Sequence, residues 1–131
     1  MTAMHHEAVA AWLAAYVAAW KSYEADAIGR LFSDDTQYRY HPWDEPVRGR
    51  AAIVADWIGG DRRDQPGTYD GQYAPFVVEG NRAVATGRSR YFAEDGTTLV
   101  REYRNVFLLT FNDAGECTEF TEWYMQTPHT P

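Results

Sequence analysis

The sequence predicts an α+β domain in which three helices precede a curled antiparallel meander, and three observations lead there. Val9, Trp12, Leu13, Tyr16, Val17 and Trp20 recur at i, i+3, i+4 spacing within an alanine-rich run, the signature of one buried helical stripe. From Tyr69 onward the chain turns into four stretches rich in aromatic and β-branched residues. Between them lie Glu79-Gly80-Asn81, Glu94-Asp95-Gly96 and Asn112-Asp113-Ala114-Gly115, short turns suited to antiparallel hairpins.

After the first helix, a short second one is expected from Glu24 to Phe32, turning Ile28, Leu31 and Phe32 inward and stopping at Ser33-Asp34-Asp35. Thr36 to His41 reads as a short strand. Gly49 then precedes Arg50 to Ile58, where Ile53, Val54, Trp57 and Ile58 restore helical spacing and Gly59-Gly60 ends it. A polar linker, Asp61 to Gly67, leads to the predicted strands Tyr69 to Val78, Arg82 to Phe92, Thr98 to Phe111 and Glu116 to Met125. The chain shows no internal repeat or low-complexity tract, so residues 1–131 are read as one domain.

Composition limits the function classes. A length of 131 residues suits a single core burying about two-thirds of the unfolded surface. The formal net charge of -7 argues against a nucleic-acid partner, which would call for clustered Lys and Arg. A single cysteine, Cys117, rules out an internal disulfide and a thiolate metal cluster. No basic leader followed by an apolar run begins the sequence, and no stretch has the length of a membrane span, so a cytoplasmic protein without membrane contact is expected. Aromatic residues make up 15% of the chain, enough to line a cavity as well as fill a core.

The order of Ala27-Ile28-Gly29-Arg30-Leu31-Phe32-Ser33-Asp34-Asp35, then Arg48 to Trp57, then Asn105 to Tyr124 resembles the nuclear transport factor 2-like superfamily, in its SnoaL-like branch. That resemblance covers nearly the whole chain. It implies a cone whose curved sheet wraps around the first helix and encloses an apolar pocket, and sheet-to-sheet homodimers. The superfamily holds isomerases, dehydratases, cyclases and proteins that only bind. The first half is similar in spacing to ketosteroid isomerases, where a helix-1 tyrosine bonds to a developing oxyanion and an aspartate before a proline moves the proton. Tyr16 stands at the tyrosine's place, followed by Asp34 and Asp35. His41 precedes Pro42 at the aspartate's place, with Tyr40 as the competing match, and Trp57 falls on a pocket aromatic. Phe107 replaces the family's second oxyanion donor, and Met125 stands where SnoaL-type cyclases often have an acid.

Period-two alternation puts Tyr103, Asn105, Phe107, Leu109 and Phe111 on one face, with Phe120, Glu122 and Tyr124 facing the same way on the last strand. A β-bulge there would exchange Trp123 for Glu122. An inward Glu122 would be poorly hydrated, which favours its neutral form unless His41, Asn105 or an arginine (Arg88, Arg90 or Arg104) stands near. The expectation is a cofactor-independent acid/base site: His41 moving the proton, Glu122 as partner acid or base, Tyr16 on the oxyanion. Trp20, Tyr40, Trp43, Trp57, Tyr103, Asn105, Phe107, Phe120 and Tyr124 would line the pocket for a small apolar or aromatic metabolite. Also open are a His41 that only ends a strand, a core Tyr16, a pocket that binds without chemistry, and a protein-interaction module that uses an exposed apolar patch on the sheet. No metal site is expected: Asp44 and Glu45 are merely adjacent carboxylates, while His5, His6 and His129 lie in terminal segments. On the other face Val106, Leu108, Trp123 and Met125 would form the homodimer contact, ringed by Glu102, Arg104, Glu119 and Thr121.

Overall fold

The computed structural model describes residues 4–59 and 67–128. Gly60, His129 and residues 61–66 of the expected linker lie outside them. Helix α1 (His6–Ser22) buries Val9, Trp12, Leu13, Tyr16 and Ala19, the stripe set by its spacing, and Tyr23 closes it in the left-handed conformation with its N–H on Ala19 O. Helix α2 (Ala25–Gly29) is a single turn. Leu31 and Phe32 are buried as expected, but Phe32 already belongs to strand β1 (Phe32–Arg39), and Ser33-Asp34-Asp35 lies within that strand instead of ending a helix.

The reason for this difference is a local distortion. The register of β1 against the last strand shifts between Phe32 and Gln37, and Asp34 and Asp35 turn out to solvent there. The buried Thr36 hydroxyl fills the gap, 2.6 Å from Cys117 O and 2.8 Å from Ser33 O. A two-residue strand, β2 (Val47–Arg48), pairs with β1, and helix α3 (Arg50–Gly59) follows, burying Ile53 and Trp57. From α3, Arg50 donates to Phe32 O and pairs with Asp34 and Glu116, clamping the distorted segment.

Strands β3 (Tyr69–Glu79), β4 (Arg82–Phe92), β5 (Leu99–Phe111) and β6 (Cys117–Gln126) form the meander. All strands join one six-stranded sheet in the order β2-β1-β6-β5-β4-β3, in which β1 and β6 run parallel and every other pair is antiparallel. The concave face packs on α1 through edge-on or stacked rings, Trp12 on Phe111 and Tyr16 on Phe107 and Phe120. Across β5 and β6, Phe107 faces Glu122 and Leu109 faces Phe120, while the irregularity in this pair lies at Thr110 and Phe111. Glu122 therefore points inward, and Trp123 lies on the convex face, 50% exposed.

Candidate functional site

Inside the cone the aromatic side chains meet one another. Trp20 meets Trp57 edge-on at 4.5 Å, and Tyr103 meets Tyr124 at 5.2 Å. Rings thus fill part of the space that the sequence analysis assigned to a cavity. An open groove of about 1230 Å3 lies elsewhere, between α2, α3 and the start of β1; Arg30, Arg48, Arg50 and Val54 are among its walls, and none of the predicted site residues lines it.

Glu122 is the chemically unusual group of the interior. Desolvation pushes its carboxyl up to about 7, against the opposing pull of the hydrogen bond from Asn105 and of the nearby His41. Asn105 Nδ2 donates to Glu122 Oε2 at 2.5 Å, and the buried Ser89 hydroxyl donates to Asn105 Oδ1 at 3.1 Å. Two of the arginines expected near it serve the other face of the sheet: Arg90 pairs with Glu102 and Arg88 donates to Gln72. Glu122 is thus held by a neutral amide, and its proton is poised near neutrality, where a general acid/base group is most useful.

At the rim, His41 joins two partners. Its Nδ1 lies 2.9 Å from Asp44 Oδ2 and its Nε2 lies 2.7 Å from the Tyr124 hydroxyl. With Nδ1–H donating to the carboxylate, Nε2 presents its lone pair to the phenol, a tautomer fixed by the aspartate. Arg39 Nε donates to Asp44 O and pins the turn. Trp43 stacks on the imidazole at 5.1 Å and 10°, and is 79% exposed, so it covers the rim histidine from outside and encloses no interior space. Tyr40 packs its ring on Tyr38 and donates its hydroxyl to Asp56 of α3. Between the two matches left open in the sequence, His41 is the one that reaches the Tyr124 side of the site.

Tyr16 and Tyr38 are both buried in the core cluster. Burial holds the Tyr16 phenol well above its ordinary value, with Tyr38 and Glu122 adding to the effect, so it stays protonated. Trp57 is 2% exposed, and its indole N–H finds no hydrogen-bond partner among the described residues. A buried donor left so is costly, by about 1–3 kcal/mol. Phe107 and Phe120 are core rings against Tyr16.

Sequence reasoning missed Asp44 as the partner of His41, having weighed it only as a cation ligand. It also passed over Tyr38, Ser89 and Tyr73. The signal for Asp44 was present in its i+3 spacing from His41; that for Tyr38 lay in the alternation of β1. Cys117 is buried with its thiol pushed up by desolvation, which leaves it a poor nucleophile. Among the described residues no three His, Cys, Asp or Glu side chains converge, and no helix is long and apolar enough to cross a membrane.

Three comparisons bear on kinship. No curated protein matches. Among solved structures, one from Kribbella flavida named as a candidate ketosteroid isomerase superposes with a TM-score of 0.63 at 17% identity, covering 96% of this chain and 84% of that one. A protein from Sphaerobacter thermophilus gives 0.63 at 15% over 88% and 94%, and a candidate polyketide cyclase from Sinorhizobium meliloti gives 0.63 at 15% over 92% and 100%. At these identities the likeness speaks for the fold. The family model for the SnoaL-like domain matches residues 13–120. The chain belongs to the SnoaL-like domain family, within the nuclear transport factor 2-like superfamily.

Proposed function

We propose that the protein is a cofactor-independent enzyme that moves a proton on an apolar, oxygenated small molecule, in an isomerisation, dehydration or aldol-type cyclisation. The observation that carries this reading is Glu122, a desolvated carboxyl facing the cone interior, whose proton is poised at about 7. In this mechanism Glu122 takes or returns the proton at carbon. His41, oriented by Asp44, exchanges a proton with the outside through the Tyr124 hydroxyl. The Tyr16 phenol, kept protonated by burial, donates its O–H to the oxyanion that forms as the proton leaves, and the Trp57 indole offers a second donor for a substrate oxygen. The structural neighbours named for ketosteroids and polyketides suggest polycyclic ketones as the substrate class.

The test measures exchange of the hydrogens next to the carbonyl in D2O, by mass spectrometry, over a panel of steroidal and aromatic polycyclic ketones. Wild-type protein should accelerate exchange in at least one of them, and Glu122→Gln should lose about 100-fold or more of it. A second reading, binding without chemistry, draws on the buried Trp57 donor, which serves a bound oxygen equally well without any reaction. It is favoured if ketones bind but none exchanges.

We further infer a two-fold homodimer through the convex face. Ala74, Thr86, Val106 and Trp123 lie in one row across β3 to β6, and Val77, Val84, Leu108 and Thr121 in the next. Val77, Leu108, Trp123 and Met125 of this face are exposed, and a contiguous apolar area of this kind on an uncovered sheet fits an isologous contact.

A further inference from the structure

The hydrogen bond that Asn105 gives to Glu122 is the last link of a longer chain. Tyr73 OH lies 2.5 Å from Ser89 Oγ, and Tyr69 OH lies 2.9 Å from Tyr73 OH. The direction of each link follows from the carboxylate. An ionised Glu122 can only accept, so the Asn105 amide must present its NH2 to it and its oxygen to Ser89. Ser89 spends its single proton on that oxygen, so Tyr73 donates to Ser89, and Tyr69 in turn donates to Tyr73. Every O–H and N–H between Tyr69 and Glu122 thus points the same way.

The sheet is shaped to hold these phenols. Tyr69 and Tyr73 alternate with Gly71 on the inward side of β3, and Gly87 lies opposite Tyr73 on β4. A Cβ on Gly71 would stand 2.2 Å from the Tyr69 hydroxyl and 2.9 Å from that of Tyr73; one on Gly87 would stand 2.0 Å from Gln72 O and 2.6 Å from the Tyr73 ring. Both glycines therefore provide room for tyrosines lying flat on the strands, and any other residue would displace the chain. Burial pushes the Tyr73 phenol up to about 12 and Tyr69 further, so both remain proton donors wherever Glu122 titrates.

We propose that Tyr73, Ser89 and Asn105, with Tyr69 behind them, are positioning residues: a one-way hydrogen-bond chain that keeps Glu122 Oε2 as a permanent acceptor and leaves Oε1 as the oxygen that carries the transferred proton. Calling Oε1 the transferring oxygen rests on the reading of Glu122 as the acid/base group. The chain itself does not, because it acts on the carboxyl in the free protein. Proton traffic then has one face of the carboxyl available, and the opposite face is stiffened by four residues on three strands.

The measurement is a 13C NMR titration of the glutamate side-chain carboxyls in the free protein, with Glu122 assigned by its loss in Glu122→Gln. Removing a donor chain that favours the ionised form raises the midpoint. Ser89→Ala and Tyr73→Phe should each raise it by a few tenths of a pH unit, the scale of cooperative strengthening along such a chain, and Ser89→Thr should restore it. Asn105→Leu, which removes the terminal donor itself, should raise it by about one unit or more. Gly71→Ala, which meets only side-chain atoms of the two tyrosines, should reproduce the Tyr73→Phe shift, and stands in for it should that variant not fold. The groups facing Glu122 are Tyr16, Tyr38 and Tyr73, which stay neutral, and His41, so the same rise must appear in a His41→Gln background. An unchanged midpoint in Ser89→Ala and the Tyr73 or Gly71 variant would overturn the proposal, and so would a fall, which would mean that the chain runs the other way. No substrate enters the titration, so absence of ketone exchange overturns the enzymatic reading alone.

Discussion

Glu122 stands directly across from Phe107, the carboxyl of β6 beside a ring that is 1% exposed on β5. That pairing places an ionisable group where hydration is poor, and it makes the fold's stability depend on the proton. The folded-state value of Glu122 is raised, from 4.5 to about 7. Below pH 4.5 the group is protonated in both folded and unfolded chains and costs nothing. As pH rises through 4.5 to 7 the unfolded chain loses its proton first, so folding loses up to ~3 kcal/mol from this group, and above 7 the loss is complete. Glu122→Gln should therefore raise the unfolding midpoint at pH 8 and leave it nearly unchanged at pH 4.5, while lowering exchange by about 100-fold or more. Equal effects at the two pH values would contradict a buried, proton-holding carboxyl.

In the proposed mechanism His41 and Asp44, 2.9 Å apart, act as one unit, so their variants should resemble each other in kind and differ in degree. His41→Ala should lower turnover by about 100-fold or more, and Asp44→Asn, which retains an acceptor without the charge, should fall between it and wild type. Both should unfold within a few degrees of wild type, since both side chains sit at the rim. A large drop in thermal midpoint with ligand affinity unchanged would mark His41 as a strand-end residue only.

Trp57→Phe retains the core ring and deletes the buried indole N–H that has no partner among the described residues. Stability should hold or rise, because an unsatisfied buried donor is removed. Affinity for an oxygenated ligand should weaken roughly 10-fold, the worth of about one hydrogen bond. Isothermal calorimetry on the ketone that exchanges, beside a thermal melt, measures both. Unchanged affinity would remove Trp57 from the binding site.

Trp123→Lys puts a charge at the β6 end of one of the convex apolar rows. It should dissociate the dimer in sedimentation velocity and leave the titration of Glu122 in place, because the two side chains are on opposite faces of β6. A wild-type protein sedimenting as a monomer at tens of micromolar would rule out the dimer.

The fold was largely legible because its elements announce themselves by period: the α1 stripe repeats at helical spacing, and β4, β5 and β6 alternate. The boundary at Phe32 was not, because Leu31-Phe32 satisfies a buried helix end and a buried strand start equally, and the Thr36 hydroxyl that resolves the conflict binds a carbonyl 81 residues away. Glu122 could be placed by counting alternate residues, since the β5–β6 irregularity sits at the far end of that pair. The meeting of His41 with Tyr124 and the tyrosine chain could not, because each depends on side chains from separate strands or turns meeting in space. Trp43 shows the limit of aromatic counting: composition registers a large ring, and only the path of the turn decides that it lies outside.

The parallel pairing of β1 with β6 has a consequence for how the molecule comes into being. Strand β1, made early, finds no strand partner among its neighbours in the chain except the two residues of β2; its long seam, Tyr38 stacked on Phe120 with parallel rings 4.3 Å apart, needs a segment synthesised some eighty residues later. On the ribosome the meander can zip strand by strand and the α1 stripe can already meet β3 through Tyr16 on Tyr73 and Trp20 on Tyr69, but β1 must wait until Thr121 has emerged. The slow step of folding should thus be the docking of β1 onto a preassembled β3–β6 sheet, a long-range closure of the kind that makes non-local topologies slow.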